Sequence, residues 1–145
     1  MAKDESPLFM IETKVAAMIS KPDPLSVLLV RDVAGGLWHF PDGKIVFGET
    51  FGEAIANNLY YDLAVTTAKV DTSAEMPAQI ISETKEEHVI VMHFNVILPD
   101  DAELLPRPGI EFAWLHWDLC TSPAFLKLVS LSTAKIIRQF SEDGK

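Results

Sequence analysis

The apolar residues of this chain gather into short aliphatic runs separated by proline, aspartate and glycine, a pattern of strands and turns. "KVAAMIS" and "LSVLLVRD" predict two strands parted by the turn residues "KPDP". An "AGG" turn follows, and "LWHF" leads into "PDG", whose three residue types supply turn geometry. The period changes over residues 50–63, where Phe51, Ile55, Leu59 and Leu63 recur every four positions and predict a helix with an apolar stripe. "QIISE" and "HVIVMHFNVIL" return to strand character around the polar "TKEE" and predict a pair. Residues 99–109, "PDDAELLPRPG", hold three prolines and a glycine and read as a loop, after which "FAWLHW" gives another strand. The closing stretch reads as one helix. Ser122 caps it, Pro123 suits its first turn, Phe125, Leu128, Val129, Ile136 and Phe140 make its apolar face, and Gly144 follows its end. Strands on both sides of an embedded helix, with a last helix, predict an α/β fold with a mixed sheet covered on two faces.

Composition narrows the partners. With 145 residues, 48% of them apolar, the chain can bury one core and is too short for two ordinary domains, so residues 1–145 are expected to form one. A net charge of −9, from 21 acidic and 12 basic residues, opposes binding to nucleic acid or to an anionic membrane. Cys120 is the single cysteine and cannot form an internal disulfide, which fits a reducing compartment and makes the cytoplasm the expected location. The opening "MAKDESPLFMIE" has mixed charge and too short an apolar part for a secretory signal. The longest apolar run, residues 88–98, is interrupted by His93 and Asn95 and falls well below the roughly 18 residues of a membrane span.

The candidate chemistry lies in "FPDGKIVFGETFGEAIANNLYYDLAV", residues 40–65. Gly43 is followed after five residues by Glu49, and seven more lead to Asn57, Asn58, Leu59, Tyr60, Tyr61, Asp62, Leu63, Ala64 and Val65. This spacing resembles the Nudix box, Gly-x5-Glu-x7-Arg-Glu-apolar-x-Glu-Glu-x-Gly-apolar. "LWHFPDGK" is similar to that family's approach to the box, "GET" to its Gly-Glu-Thr, and "IEFAWL" to its late Glu-x-x-Trp strand. The likeness runs over most of the chain. It implies a Nudix-like α/β/α sandwich around a mixed β-sheet, and a site for nucleoside-diphosphate derivatives.

The family's box holds metal. Residues three and four apart on a helix stand side by side, so carboxylates at positions 58, 61 and 62, with a turn carbonyl, would hold Mg²⁺ against a diphosphate. Here the resemblance gives a degenerate set: Asn57 for arginine, Asn58 and Tyr61 for glutamates, Asp62 for the last glutamate, and Ala64 for the final glycine. Glu49 keeps the early glutamate, which in the family supports the box by pairing with the arginine absent here. Asp42 replaces the first glycine of the turn, where its carbonyl could face a metal while its side chain crowds the place.

The expected catalytic positions are therefore Glu49, Asn58 and Asp62, and the expected metal ligands are Asp62, Glu49 and Glu111, holding Mg²⁺ or Mn²⁺ weakly if at all. Trp38, Asp42 and Gly43 are the expected ligand-contacting positions, Trp38 by stacking on a base. Tyr61 is neutral at pH 7 and no Mg²⁺ ligand, and is expected to block the site. Losing a metal-held nucleophile at a cost on the order of 4 to 6 kcal/mol slows the reaction by about 10³ to 10⁴. Extra carboxylates could come from Glu111 or from Glu83, Glu86 and Glu87.

Plainer roles stand beside these. Asn57 and Asn58 could be solvated, Glu49 and Glu53 could be first-turn acids on the helix dipole, and Asp62 could be a surface acid. His88, His93 and His116 lack the paired spacing of a zinc site, and His93 reads as a core residue. Trp114 and Trp117 read as core and Cys120 as a small apolar residue. Three functions remain in view: a catalytically impaired module that binds or regulates through a nucleotide diphosphate, an active pyrophosphohydrolase with a metal site built from Glu49, Asp62 and Glu111, and an interaction domain that forms a homodimer.

Overall fold

The computed structural model describes residues 10–22, 24–71, 78–82 and 87–143. Asp23, Glu83, Glu86 and Gly144, and the side chains of Glu87 and His88, lie outside what is described.

Among the described residues seven strands form one mixed sheet, and its centre is the long strand β1, Met10–Lys21. On one side β1 runs parallel to β6, Glu87–Ile97, in register from Met10 opposite Glu87 to Ile19 opposite Val96. On the other it meets β2, Ser26–Asp32, and the short β3, Asp42–Lys44, both antiparallel. β7, Ile110–His116, pairs with β2, while β4, Lys69–Asp71, and β5, Ala78–Ser82, pair with β6. The backbone order is β4-β6-β1-β2-β7.

Alternation along the strands separates two cores. Val15, Ala17 and Ile19 of β1, Leu28 and Val30 of β2, and Phe94 and Val96 of β6 face helix α1, Phe51–Leu63, and pack on its Ile55, Leu59 and Leu63. Ala16, Met18, Val27, Leu29, Val89 and Val91 face the other way, onto Ala134, Ile136 and Ile137 of helix α4, Leu131–Asp143. Helices thus cover both faces of a mixed sheet, the α/β/α sandwich expected.

"PDG" is not only a turn: residues 42–44 add a three-residue strand on β1, because the chain must fold back along Lys14, Val15 and Ala16 to reach α1. β4 was not foreseen. "FAWLHW" ends one residue early, since Trp117 opens the one-turn helix α2, Trp117–Cys120. The closing helix is two helices. Ser122 does cap a turn, α3, Pro123–Leu126, accepting from the Phe125 N–H at 3.3 Å. The chain then straightens so that Val129 can bridge to Trp38, with Trp38 N–H donating to Leu128 O at 2.9 Å and Ser130 N–H to Trp38 O at 2.8 Å. Phe125, Val129 and Ile136 are buried as expected, whereas Leu128 and Phe140 are exposed.

Candidate functional site

The box begins at a tight contact between β3 and α1. Asn58 Nδ2 donates to Ala54 O at 2.8 Å and to Lys44 O at 3.3 Å, which ties the helix to the strand beneath it. The amide lies against Gly43 so closely that a Cβ there would overlap it. Glycine at position 43 is thus a packing requirement.

Thr50 starts α1 with a capping box: its Oγ1 accepts from Glu53 N–H at 3.1 Å and Glu53 Oε1 accepts from Thr50 N–H at 2.8 Å. The Thr-x-x-Glu spacing was available in the sequence and gives Glu53 a specific role at the helix end. Glu49 accepts from Val46 N–H at 2.7 Å through Oε1 and from Asn57 Nδ2 at 2.6 Å through Oε2. Those bonds, the backbone one first, hold its carboxyl below the usual carboxylate range. Asn57 is thereby the side-chain partner of Glu49.

The other end of α1 is differently built. Asp62 Oδ1 accepts from Arg107 Nε at 2.8 Å, and the guanidinium lies over the Tyr61 ring with Cζ 5.2 Å from its centroid. The bond to Asp62 is the chief reason that the Arg107 pKa is raised. Arg107 N–H also donates to Asp62 O at 2.9 Å, and Leu105 N–H to Leu63 O at 2.9 Å, so the proline loop supplies donors to carbonyls left open at the helix end. The Tyr61 side chain is exposed and lies under the guanidinium. Ala64 closes the helix in the left-handed conformation, φ 58°, and is the only non-glycine residue with positive φ among those described.

Asp42 and Asp62 line one narrow crevice with Pro41, Ile55 and Asn58. Burial raises the Asp42 pKa, opposed by His39 and Lys14 and reinforced by the negative charge of Asp62. Asp42 also borders a second hollow of about 230 Å³, lined by Lys14, His39, Val89, Val91, Ser130 and Ser132. It joins the two, with Oδ2 3.6 Å from His39 Nδ1.

Glu111 is not part of this group. Its neighbours Ile110, Phe112 and Trp114 pack in the α1-side core, so alternation turns Glu111 to the opposite face, where its Oε2 accepts from Arg31 Nε at 2.8 Å. Arg31 also covers Trp38 at 4.5 Å, which packs partly buried against the α4-side core. His93 is fully buried with its ring edge-on to Phe40 at 5.8 Å, as its core reading predicts. Cys120 is buried too, and desolvation pushes its thiol up to about 11. Among the described residues no three or more histidine, cysteine or acidic side chains cluster so as to hold a metal, and no helix is long and apolar enough to cross a membrane.

This arrangement can be set beside known proteins. No protein-family model and no curated protein matches the chain in sequence. Solved structures do. The chain superposes on a MutT protein from Methanosarcina mazei with a TM-score of 0.76 at 19% identity, over 97% of this chain and 99% of that one. The chain has the Nudix fold. A Caenorhabditis elegans Ap4A hydrolase, solved as a binary complex, gives a TM-score of 0.70 at 14% identity, covering 90% and 96% of the two chains. The Nudix domain of Shewanella oneidensis NrtR, solved with ADP ribose, gives 0.66 at 16% identity, covering 94% and 90%.

Proposed function

We propose that this chain is a nucleotide-diphosphate-binding or regulatory module on a Nudix scaffold, impaired in hydrolysis. The observation that carries this reading is the pairing of Asp62, the last acid of the box, with Arg107 at 2.8 Å. A carboxylate occupied by a guanidinium must give up that partner before it can ligate Mg²⁺, a cation that is usually held by one or two carboxylates and substrate phosphates. The other box positions are committed as well: Asn58 to Ala54 and Lys44, and Glu49 to Val46 and Asn57. Among the described residues the side chains do not fit a cluster of Mg²⁺ or Mn²⁺ ions, and Glu111, on the far face, does not repair the set.

Binding has better support. The hollow bordered by Lys14, His39 and Ser130 offers a cation, an imidazole and a hydroxyl above the apolar Val89 and Val91. Its 230 Å³ is below the roughly 300 to 1,000 Å³ of whole-ligand pockets, room for part of a nucleotide with the remainder left outside it. Two of the fold's relatives are named for a nucleotide ligand or substrate, ADP ribose in one and Ap4A in the other. Calorimetric titration with ADP-ribose, ADP and diadenosine tetraphosphate tests the reading. Saturable binding that weakens in Lys14→Ala supports it, and absence of binding by all three ligands overturns it.

A further inference from the structure

We propose that Arg107 binds the ligand's phosphate directly, so that a guanidinium serves where hydrolases of this fold would use a divalent cation; this rests on the nucleotide-binding reading above. Arg107 is set up for such a contact in three ways. Its backbone is fixed: Pro106 and Pro108 restrict the chain on either side, and its own N–H donates to Asp62 O at 2.9 Å. Its side chain is oriented, with Nε on Asp62 Oδ1 and the guanidinium over the Tyr61 ring. Its remaining donors are uncommitted. Arginine carries five N–H groups, Asp62 takes one through Nε, and no side-chain or backbone acceptor among the described residues takes those on the two Nη nitrogens.

A single contact through Nε is a weak use of a group whose planar fork favours two parallel bonds to a carboxylate or phosphate. That edge, Nη1 and Nη2, stays open on a side chain about one-third exposed, at 37%. Asp62 lines the crevice together with Asp42, and Asp42 also borders the hollow, so Arg107 is linked to the hollow through these two acids. Charge argues the same way. With a net charge of −9 the chain repels phosphate in general, and Arg107 offsets the negative charge of Asp62 without a metal ion. Asp62 then serves as a positioning residue for Arg107.

The experiment is calorimetric titration of ADP-ribose and inorganic pyrophosphate into the full chain, in EDTA and in Mg²⁺, with wild type, Arg107→Ala and Arg107→Lys. Equal affinity in EDTA and Mg²⁺ is expected, with a loss of about 10- to 100-fold in Arg107→Ala, the size of lost hydrogen bonds to a charged group. Arg107→Lys should fall between, since it keeps the charge and loses the fork. If Arg107→Ala does not melt cooperatively, the Lys variant and Arg107→Gln carry the same comparison. Undiminished affinity in the position-107 variants, or binding that requires Mg²⁺, overturns the proposal while leaving nucleotide binding in place. Absence of binding in either buffer overturns both.

Discussion

The two ends of helix α1 keep different things. At the N-terminal end the residues hold one another: Asn57 reaches Glu49, Asn58 joins the helix to the Gly43 turn, and Thr50 and Glu53 satisfy each other. At the C-terminal end the side chains differ in chemistry from those of the resembled box. A tyrosine faces out, the remaining acid carries a guanidinium, and an alanine adopts a conformation suited to glycine. The first end holds shape, and shape tolerates a change of residue that still spans the gap. In the resembled box the second would hold metal, which requires particular charged atoms, so on the proposed reading substitution there alters chemistry while sparing the fold.

The comparison can be broken first at Gly43. Gly43→Ala puts a methyl group into the Asn58 amide and should cost about 1 to 3 kcal/mol by overpacking, read as a lowered denaturant midpoint. Adding Asn58→Ala should recover part of the loss. Thr50→Ala removes the N-cap and should cost about 1 kcal/mol by the same measurement. At the far end, Arg107→Ala should cost less than about 1 kcal/mol, as expected for a partly exposed ion pair, even as it weakens phosphate binding. A large loss of stability there would make the C-terminal end a structural element like the other.

The acids give a pH version. The Asp42 pKa is raised, so its folded form prefers the proton, and its ionisation weighs against the fold once pH rises through the ordinary carboxylate range. Asp42→Asn should therefore raise the melting temperature at pH 7 and lose that advantage below the usual carboxylate pKa. Glu49 runs the other way: its lowered pKa means that its support is present above that range and is lost as acid protonates it. Smallest of all, Ala64→Gly should relieve the left-handed backbone and stabilise by up to about 1 kcal/mol, read by thermal melting.

Much of the fold was legible because strand runs and the four-residue stripe of α1 each serve one buried face, which periodicity reports directly. The stripe was right at Ile55, Leu59 and Leu63; Phe51 sits at the edge, ring to ring with Phe94 at 5.4 Å. Residues 122–143 misled because their apolar positions serve two elements, with the break set by a pairing of Val129 to Trp38 far back in the chain. The site was read through spacing, which located Asp62 and could not show its partner 45 residues away. Asn57 and Glu49 were separated on paper by the loss of arginine, although a shorter amide reaches the same carboxylate. The misfit of Glu111 was available in "IEFAW", where alternation with Ile110, Phe112 and Trp114 turns it from the α1 side.

Chromatographic detection of cleavage tests the central claim most directly, with ADP-ribose, diadenosine tetraphosphate and nucleoside triphosphates incubated in Mg²⁺ and in Mn²⁺ beside Asp62→Ala. The account predicts product no greater than in the variant for every substrate and metal. Metal-dependent turnover at ordinary enzyme rates, abolished by Asp62→Ala, would contradict it and mean that Asp62 leaves Arg107 to hold a working metal ion.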